Sequence, residues 1–127
     1  MTPTKVWIVS LADADARRAQ ISESLRDVDF DWEFFDAHRA LQGGLQYRAG
    51  DSHATHGRTL RAAELGCYSS HYATWQWLHD SAYEQMLVFE DDVSVDWDFI
   101  AQLAALDFTA MNIDYLRRFA KVPPRWR

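Results

Sequence analysis

Two hydrophobic patterns alternate along this chain. Lys5-Val6-Trp7-Ile8-Val9-Ser10-Leu11 is a short, continuous, β-rich apolar run of the kind buried on both faces of a sheet, so it is expected to be a central strand. Beyond it, Ala16, Ile21, Leu25 and Val28 recur at helical spacing, with Arg17, Arg18, Glu23 and Arg26 mostly elsewhere. That predicts a helix running to about Arg26 and capped by Asp13 or Asp15. Trp32 to Phe35 reads as a second strand. Periodicity then lapses, and Gly43-Gly44, Gly50-Asp51 and Gly57 mark turns, so 38–58 is expected to be an irregular loop. A helical turn from Thr59 to Glu64 precedes a longer helix from Gly66 to about Ser81. Tyr68, Tyr72, Trp75, Trp77 and Leu78 surround that helix, which predicts that it is largely buried. Glu84 to Phe89 reads as a third strand, Trp97 to about Leu106 as another helix, and Met111 to Leu116 as a last short strand. Arg117 to Arg127 is a basic tail in which Pro123-Pro124 stops any helix. Strands alternating with helices favour an α/β sheet.

Composition narrows the function classes. The chain has 127 residues, a domain's worth at most, and its six Trp, seven Phe and five Tyr can build a core. A net charge of −6 argues against nucleic acid, whose phosphates are bound by clustered Lys and Arg. Met1 to Leu11 lacks a charged leader followed by a long apolar stretch, and no segment approaches the roughly 20 apolar residues of a membrane span. With one cysteine, Cys67, the expectation is a cytoplasmic chain without disulfides, which leaves room for a place at the cytoplasmic face of the inner membrane, peripheral membrane association or a homo-oligomer.

The candidate chemistry sits where the third strand breaks into acids, in Leu87-Val88-Phe89-Glu90-Asp91-Asp92-Val93. Neighbouring strand residues point to opposite faces, so three successive acids share a site only if the strand ends there and the backbone turns. Ligands of open α/β sheets bind beyond the carboxyl ends of strands, and hard cations take oxygen ligands. Asp96-Trp97-Asp98 matches a D-x-D pattern, but Phe99, Ile100, Leu103 and Leu106 follow at helical spacing, so Asp96 reads as a helix cap. Cys67 and His71 lie four apart on one helix face; lacking a third ligand in sequence, they read as part of a packed helix rather than a metal site. His53 and His56, in the loop, read as exposed. Arg17 and Arg18 follow the first strand, where guanidinium groups could meet a diphosphate or simply form a solvated helix face.

Taken together, Val6-Trp7-Ile8-Val9-Ser10-Leu11 followed by Arg17, then Glu64-Leu65-Gly66-Cys67 with Ser70-His71 and Trp75, then Leu87 to Val93, resemble glycosyltransferase family 25 in order and spacing across about Val6 to Leu116. The resemblance implies a GT-A type fold, a Rossmann-like α/β sheet flanked by helices. Residues 1–127 would form a single partial domain, truncated relative to a family that continues for roughly another half domain. It implies a UDP-sugar donor, usually UDP-galactose, and inverting, metal-assisted transfer to a saccharide or lipooligosaccharide acceptor, with Mn²⁺ or Mg²⁺ as the divalent cation. On that pattern Asp92, with Asp91, would hold the metal, and Asp91 or Glu90 would support the ribose. Val9, Ser10, Leu11 and Arg17 would lie against the nucleotide, and Glu64 and His71 would order the donor pocket. Many members carry Asn-Leu-Asp where this chain has Ser10-Leu11-Ala12. No catalytic base is named, since Asp107 and Asp114 read as surface or turn acids. The alternative is a truncated, non-catalytic nucleotide-sugar-binding or interaction module.

Overall fold

The computed structural model describes residues 4–42, 45 and 61–112. Three parallel strands form one sheet in the order β2-β1-β3: β1 at Thr4–Ser10, β2 at Asp31–Asp36 and β3 at Gln85–Glu90. β1 is central, as its apolar run predicts, and every one of its residues is buried. Both neighbours pair with it in register, Ile8 standing between Phe34 and Phe89. The third strand runs one residue later than predicted, which makes Glu90 its last residue; Glu90 pairs with Val9, and the Asp91 amide donates to the Val9 carbonyl at 3.1 Å.

Side-chain alternation divides the sheet into two faces. Lys5, Trp7 and Val9 of β1 share one face with Phe35 and Glu90, against which helix α2 at Ala62–Asp80 packs: the Trp7 ring meets Trp77 of α2 and Phe35 edge-on, with centroids 5.0 and 5.3 Å away. Thr4, Val6, Ile8 and Ser10 face the other way with Phe34 and Phe89. There lie α1 at Asp15–Ser24, whose Arg18 covers the Phe34 ring, and α3 at Trp97–Ala104, whose Trp97 meets Phe89 edge-on. Right-handed crossovers require this arrangement, because the chain steps one way from β1 to β2 and the opposite way from β2 to β3. The core, Val6, Ile8, Leu25, Ile100, Leu103 and Ala104, fills the α1 and α3 side. No helix among the described residues is long and apolar enough to cross a membrane.

Several local expectations are corrected. α1 has no side-chain cap: Ala14 occupies the cap position, Asp15 sits in the first turn, and Asp13 instead pairs with Arg39 at 2.9 Å. Its predicted stripe contributes little, since only Leu25, just past its end, is buried. The described end of the turn expected over Thr59 to Glu64 and the helix expected from Gly66 belong to one element, because Glu64 accepts the amide of the capping Arg61 at 3.1 Å and Gly66 lies inside α2. Nor are the aromatics of α2 fully buried: Tyr72 and Trp77 are half-buried. Tyr68 is 58% and Trp75 54% exposed, while Gly66, Ser69, Ser70 and Thr74 form the buried side. Small residues let the helix approach the segment after β2 closely: a Cβ on Gly66 would collide with the His38 carbonyl oxygen. Ser70 Oγ accepts the His38 amide at 2.7 Å, and Ser69 Oγ accepts the Gln42 amide at 3.0 Å. Met111 and Asn112 lie in a turn rather than a strand. The remainder of that predicted strand, most of the 38–58 loop with His53 and His56, and the 117–127 tail lie outside the described residues.

Candidate functional site

Strand order reverses at β1, so the carboxyl ends of β1 and β3 border the switch point where doubly wound sheets open a crevice. The three successive acids stand there and do not share a face. Strand alternation sends Glu90 toward α2 and Asp91 toward α1, leaving Asp92 beyond the sheet.

On the α1 side, Asp91 is locked in place. Ser10 Oγ donates to its Oδ2 at 2.7 Å and Arg17 donates to its Oδ1 at 3.2 Å, tying the ends of β1 and β3 to the first turn of α1. The Asp91 side chain is 12% exposed, whereas that of Arg17 is 62% exposed and can reach toward a ligand above the sheet. Arg18 donates to the Ser10 carbonyl at 2.7 Å and to Asp36 at 2.8 Å, and the Ala37 amide shares the same carbonyl at 2.8 Å. Val9 is buried beneath this corner, and the Leu11 carbonyl accepts the Ala14 amide.

On the α2 side, the Cys67 thiol donates to Glu90 Oε1 at 2.8 Å, and His71 Nε2 stands 3.6 Å from the same oxygen. Although Cys67 as a residue is exposed, its thiol sits in the crease between helix and strand. Desolvation there, with the Glu90 hydrogen bond and the charges of Glu90 and Asp92, pushes its pKa up to about 12. Glu64 lies one turn before Cys67 on the same side of the helix.

Asp92 is exposed, and among the described residues it makes no hydrogen bond or ion pair. Asp96 is the helix cap the sequence predicts, accepting the Asp98 and Phe99 amides at 3.1 and 3.3 Å. Asp107 accepts the Ala110 amide at 3.0 Å, the turn role expected of it, and Asp114 lies outside the described residues.

The structure thus gathers Ser10, Arg17 and Asp91 into one cluster and His71 and Glu90 into another. Two participants are additional. Asp36 reaches the corner because parallel register sets it beside Ser10, and Cys67 because it meets a carboxylate from a different element. The i,i+4 spacing of Cys67 and His71 was the signal for the second, but the partner that completes it is 19 residues beyond His71 in sequence.

Comparison with known proteins identifies the family. The family model for glycosyltransferase family 25 (LPS biosynthesis protein) matches residues 3–126. A probable inactive glycosyltransferase 25 family member 3 of Rattus norvegicus is 32% identical over 110 residues, covering 80% of this chain and 19% of the relative. The inactive glycosyltransferase 25 family member 3 of Homo sapiens is 31% identical over 110 residues, covering 80% and 18%. Procollagen galactosyltransferase 1-B of Xenopus laevis is 26% identical over 125 residues, covering 91% and 20%. The chain therefore spans about a fifth of the length of these relatives.

Proposed function

Since this chain belongs to glycosyltransferase family 25, we propose that it forms the donor-binding part of a hexosyltransferase. The donor is a UDP-sugar, with galactose the favoured hexose, and the acceptor a saccharide or lipooligosaccharide hydroxyl reached with inversion. The observation that carries this reading is the corner at the switch point, where Ser10 and Arg17 fix Asp91 and leave Asp92 exposed beside it.

The donor set suits a hard cation. Carboxylate oxygens at a sheet's carboxyl edge are the usual ligands of Mg²⁺ or Mn²⁺, and neither Asp92 oxygen is engaged among the described residues. In this reading Asp92 is the principal ligand and Asp91, held rigidly from below, the second. The cation, when bound, supplies neutralisation of the charge that grows on the departing UDP. Arg17 would turn from Asp91 toward the diphosphate, and Ser10 would keep Asp91 oriented while it does so. Val9 and Leu11 would form the floor under the nucleotide, with Glu64 and His71 bordering the pocket from α2.

Isothermal titration of the chain with UDP in the presence of Mn²⁺ tests this. Metal-dependent heat that Asp92→Ala abolishes is expected; absence of UDP heat with and without metal would overturn the donor site.

A second reading has its own support in the relatives named inactive, which share 31–32% identity with this chain. In it the fold and nucleotide-sugar binding persist without transfer, and the chain acts as a binding or interaction module. Hydrolysis or transfer from UDP-galactose by the purified chain counts against that reading, and UDP binding without turnover counts for it.

A further inference from the structure

The crease between α2 and the end of β3 brings together three groups whose convergence donor binding does not explain, His71 at the pocket's border among them. Cys67 and His71 project from successive turns of α2, and Glu90 meets them from the strand. One ligand atom from each lies within 4.8 Å of the other two. We propose that Cys67, His71 and Glu90 form a binding site for a borderline divalent cation of the Zn²⁺ class, separate from the hard-cation role of Asp92.

The ligand types decide the class of metal. A thiolate, an imidazole and one carboxylate match the sulfur, nitrogen and oxygen set of zinc, whereas Mg²⁺ and Ca²⁺ prefer oxygen throughout. Tetrahedral zinc holds such ligand atoms about 3.5 Å apart. Two separations, 2.8 Å from Cys67 Sγ to Glu90 Oε1 and 3.6 Å from His71 Nε2 to the same oxygen, bracket that value, and the third, between Cys67 and His71, is within 4.8 Å, so closing the set takes side-chain rotations on α2. Spacing of four residues on a helix is a frame on which two ligands converge, and the strand terminus adds a third from a separate element.

The surroundings favour a cation as well. Glu90, Asp91 and Asp92 are consecutive, and among the described residues Arg17 is the cation paired with them, through Asp91 on the other face. His71 and Glu90 side chains are 33% and 43% exposed, so a fourth position opens to solvent and offers an entry path. With the thiol protonated at neutral pH, binding proceeds by proton exchange: the Cys67 S–H proton passes to solvent and a metal–thiolate bond forms in its place.

Co²⁺ serves as the spectroscopic probe, titrated into the purified full chain. A near-ultraviolet thiolate-to-cobalt charge-transfer band that saturates at about one equivalent, is displaced by Zn²⁺, and gains about tenfold in affinity per pH unit is expected from release of one proton. Cys67→Ser should remove the band, and His71→Ala should weaken Co²⁺ binding by about tenfold or more. No band in the wild-type chain, or a band that survives Cys67→Ser, overturns the proposal. Because Cys67 is exposed, Cys67→Ser should keep the circular dichroism of the parent, and His71→Ala reads affinity while the thiolate is still present. Asp92→Ala should retain the band. Its loss there would overturn the separation of the two sites, whereas absence of UDP binding in the parent chain with the band intact refutes only the donor reading.

Discussion

The two ends of the sheet both carry charge, but among the described residues only one of them is closed. At the amino end Lys5 is 3% exposed, yet Asp31 and Glu33 both pair with it, Tyr83 donates its hydroxyl to Asp31, and the ammonium lies 4.7 Å from the centre of the Trp7 ring. On the other face Gln85 donates to Thr4 Oγ1 and to the Leu106 carbonyl, both at 2.6 Å, and accepts the Phe108 amide at 3.0 Å. Thr4 in turn donates to the Ala104 carbonyl at 2.7 Å. At the carboxyl end, among the described residues, Arg17 pairs with Asp91 and Arg18 with Asp36, Glu90 meets only the Cys67 thiol and His71, and Asp92 meets no cation. Groups that satisfy one another hold a fold together; an excess of one sign, held on rigid strand ends, is capacity for a ligand.

Removing a member of the closed end should therefore have the largest effect on stability. Gln85 is 5% exposed and makes three hydrogen bonds that tie β3 to β1 and to the segment after α3. Gln85→Ala strands the Leu106 carbonyl and the Phe108 amide, and about 2–3 kcal/mol of unfolding free energy is expected to be lost. Urea denaturation measures it. The contrast between the ends breaks if Gln85→Ala leaves the urea midpoint in place or selectively abolishes UDP binding at temperatures where the variant is folded.

The Lys5 cluster predicts a smaller effect with a pH signature. Burial opposes charge on Lys5 and is the largest influence, but hydrogen bonds to Glu33 and Asp31 and their charges together outweigh it, so its pKa is raised. The Tyr83 hydrogen bond, followed after opposing desolvation by Lys5, lowers the pKa of Asp31. The signs are opposite. The Asp31 contribution is present above the ordinary carboxylate value of 3.8 and lost as pH falls through its lower folded value. The Lys5 contribution is present below 10.5 and lost as pH rises through its higher folded value. Lys5→Met keeps the apolar stem over Trp7 and removes the charge from partners that water reaches, so about 1 kcal/mol should be lost at pH 7. The alkaline decline in stability should also flatten. Unchanged pH profiles at both extremes would mean that the amino end is no more closed than the other.

The same contrast explains what could be read from the sequence. β1 declared itself because a strand buried on both faces is apolar without interruption, and Asp96 because capping is local. α2 misled because its buried side is Gly66, Ser69, Ser70 and Thr74, residues that hydropathy scores as neutral, while its large aromatics Tyr68 and Trp75 point outward. Close approach of a helix to backbone demands small side chains rather than greasy ones, and the partner segment near His38 is invisible from α2 itself. The acidic triplet was legible as a cluster but not in its division. Which acid meets Ser10 and which meets Cys67 depends on register between strands 81 residues apart and on helices that cover opposite faces.

Asp92 provides the smallest stability effect and the most direct test of what that division means. It is exposed, makes no hydrogen bond or ion pair among the described residues, and stands next to Glu90 and Asp91, so it contributes like-charge repulsion to the folded state. Its negative charge is also among the influences that raise the Cys67 pKa, which places it within electrostatic reach of that thiol. Asp92→Ala should therefore change unfolding free energy by no more than about 0.5 kcal/mol, with the sign toward stabilisation, even while it removes metal-dependent UDP binding. Thermal unfolding in low salt, where the repulsion is least screened, gives the sharpest reading. A loss above about 1 kcal/mol would show instead that Asp92 belongs to a satisfied network. The carboxyl end would then be as closed as the end built on Lys5 and Gln85, and an acid kept there for a ligand would have no physical basis.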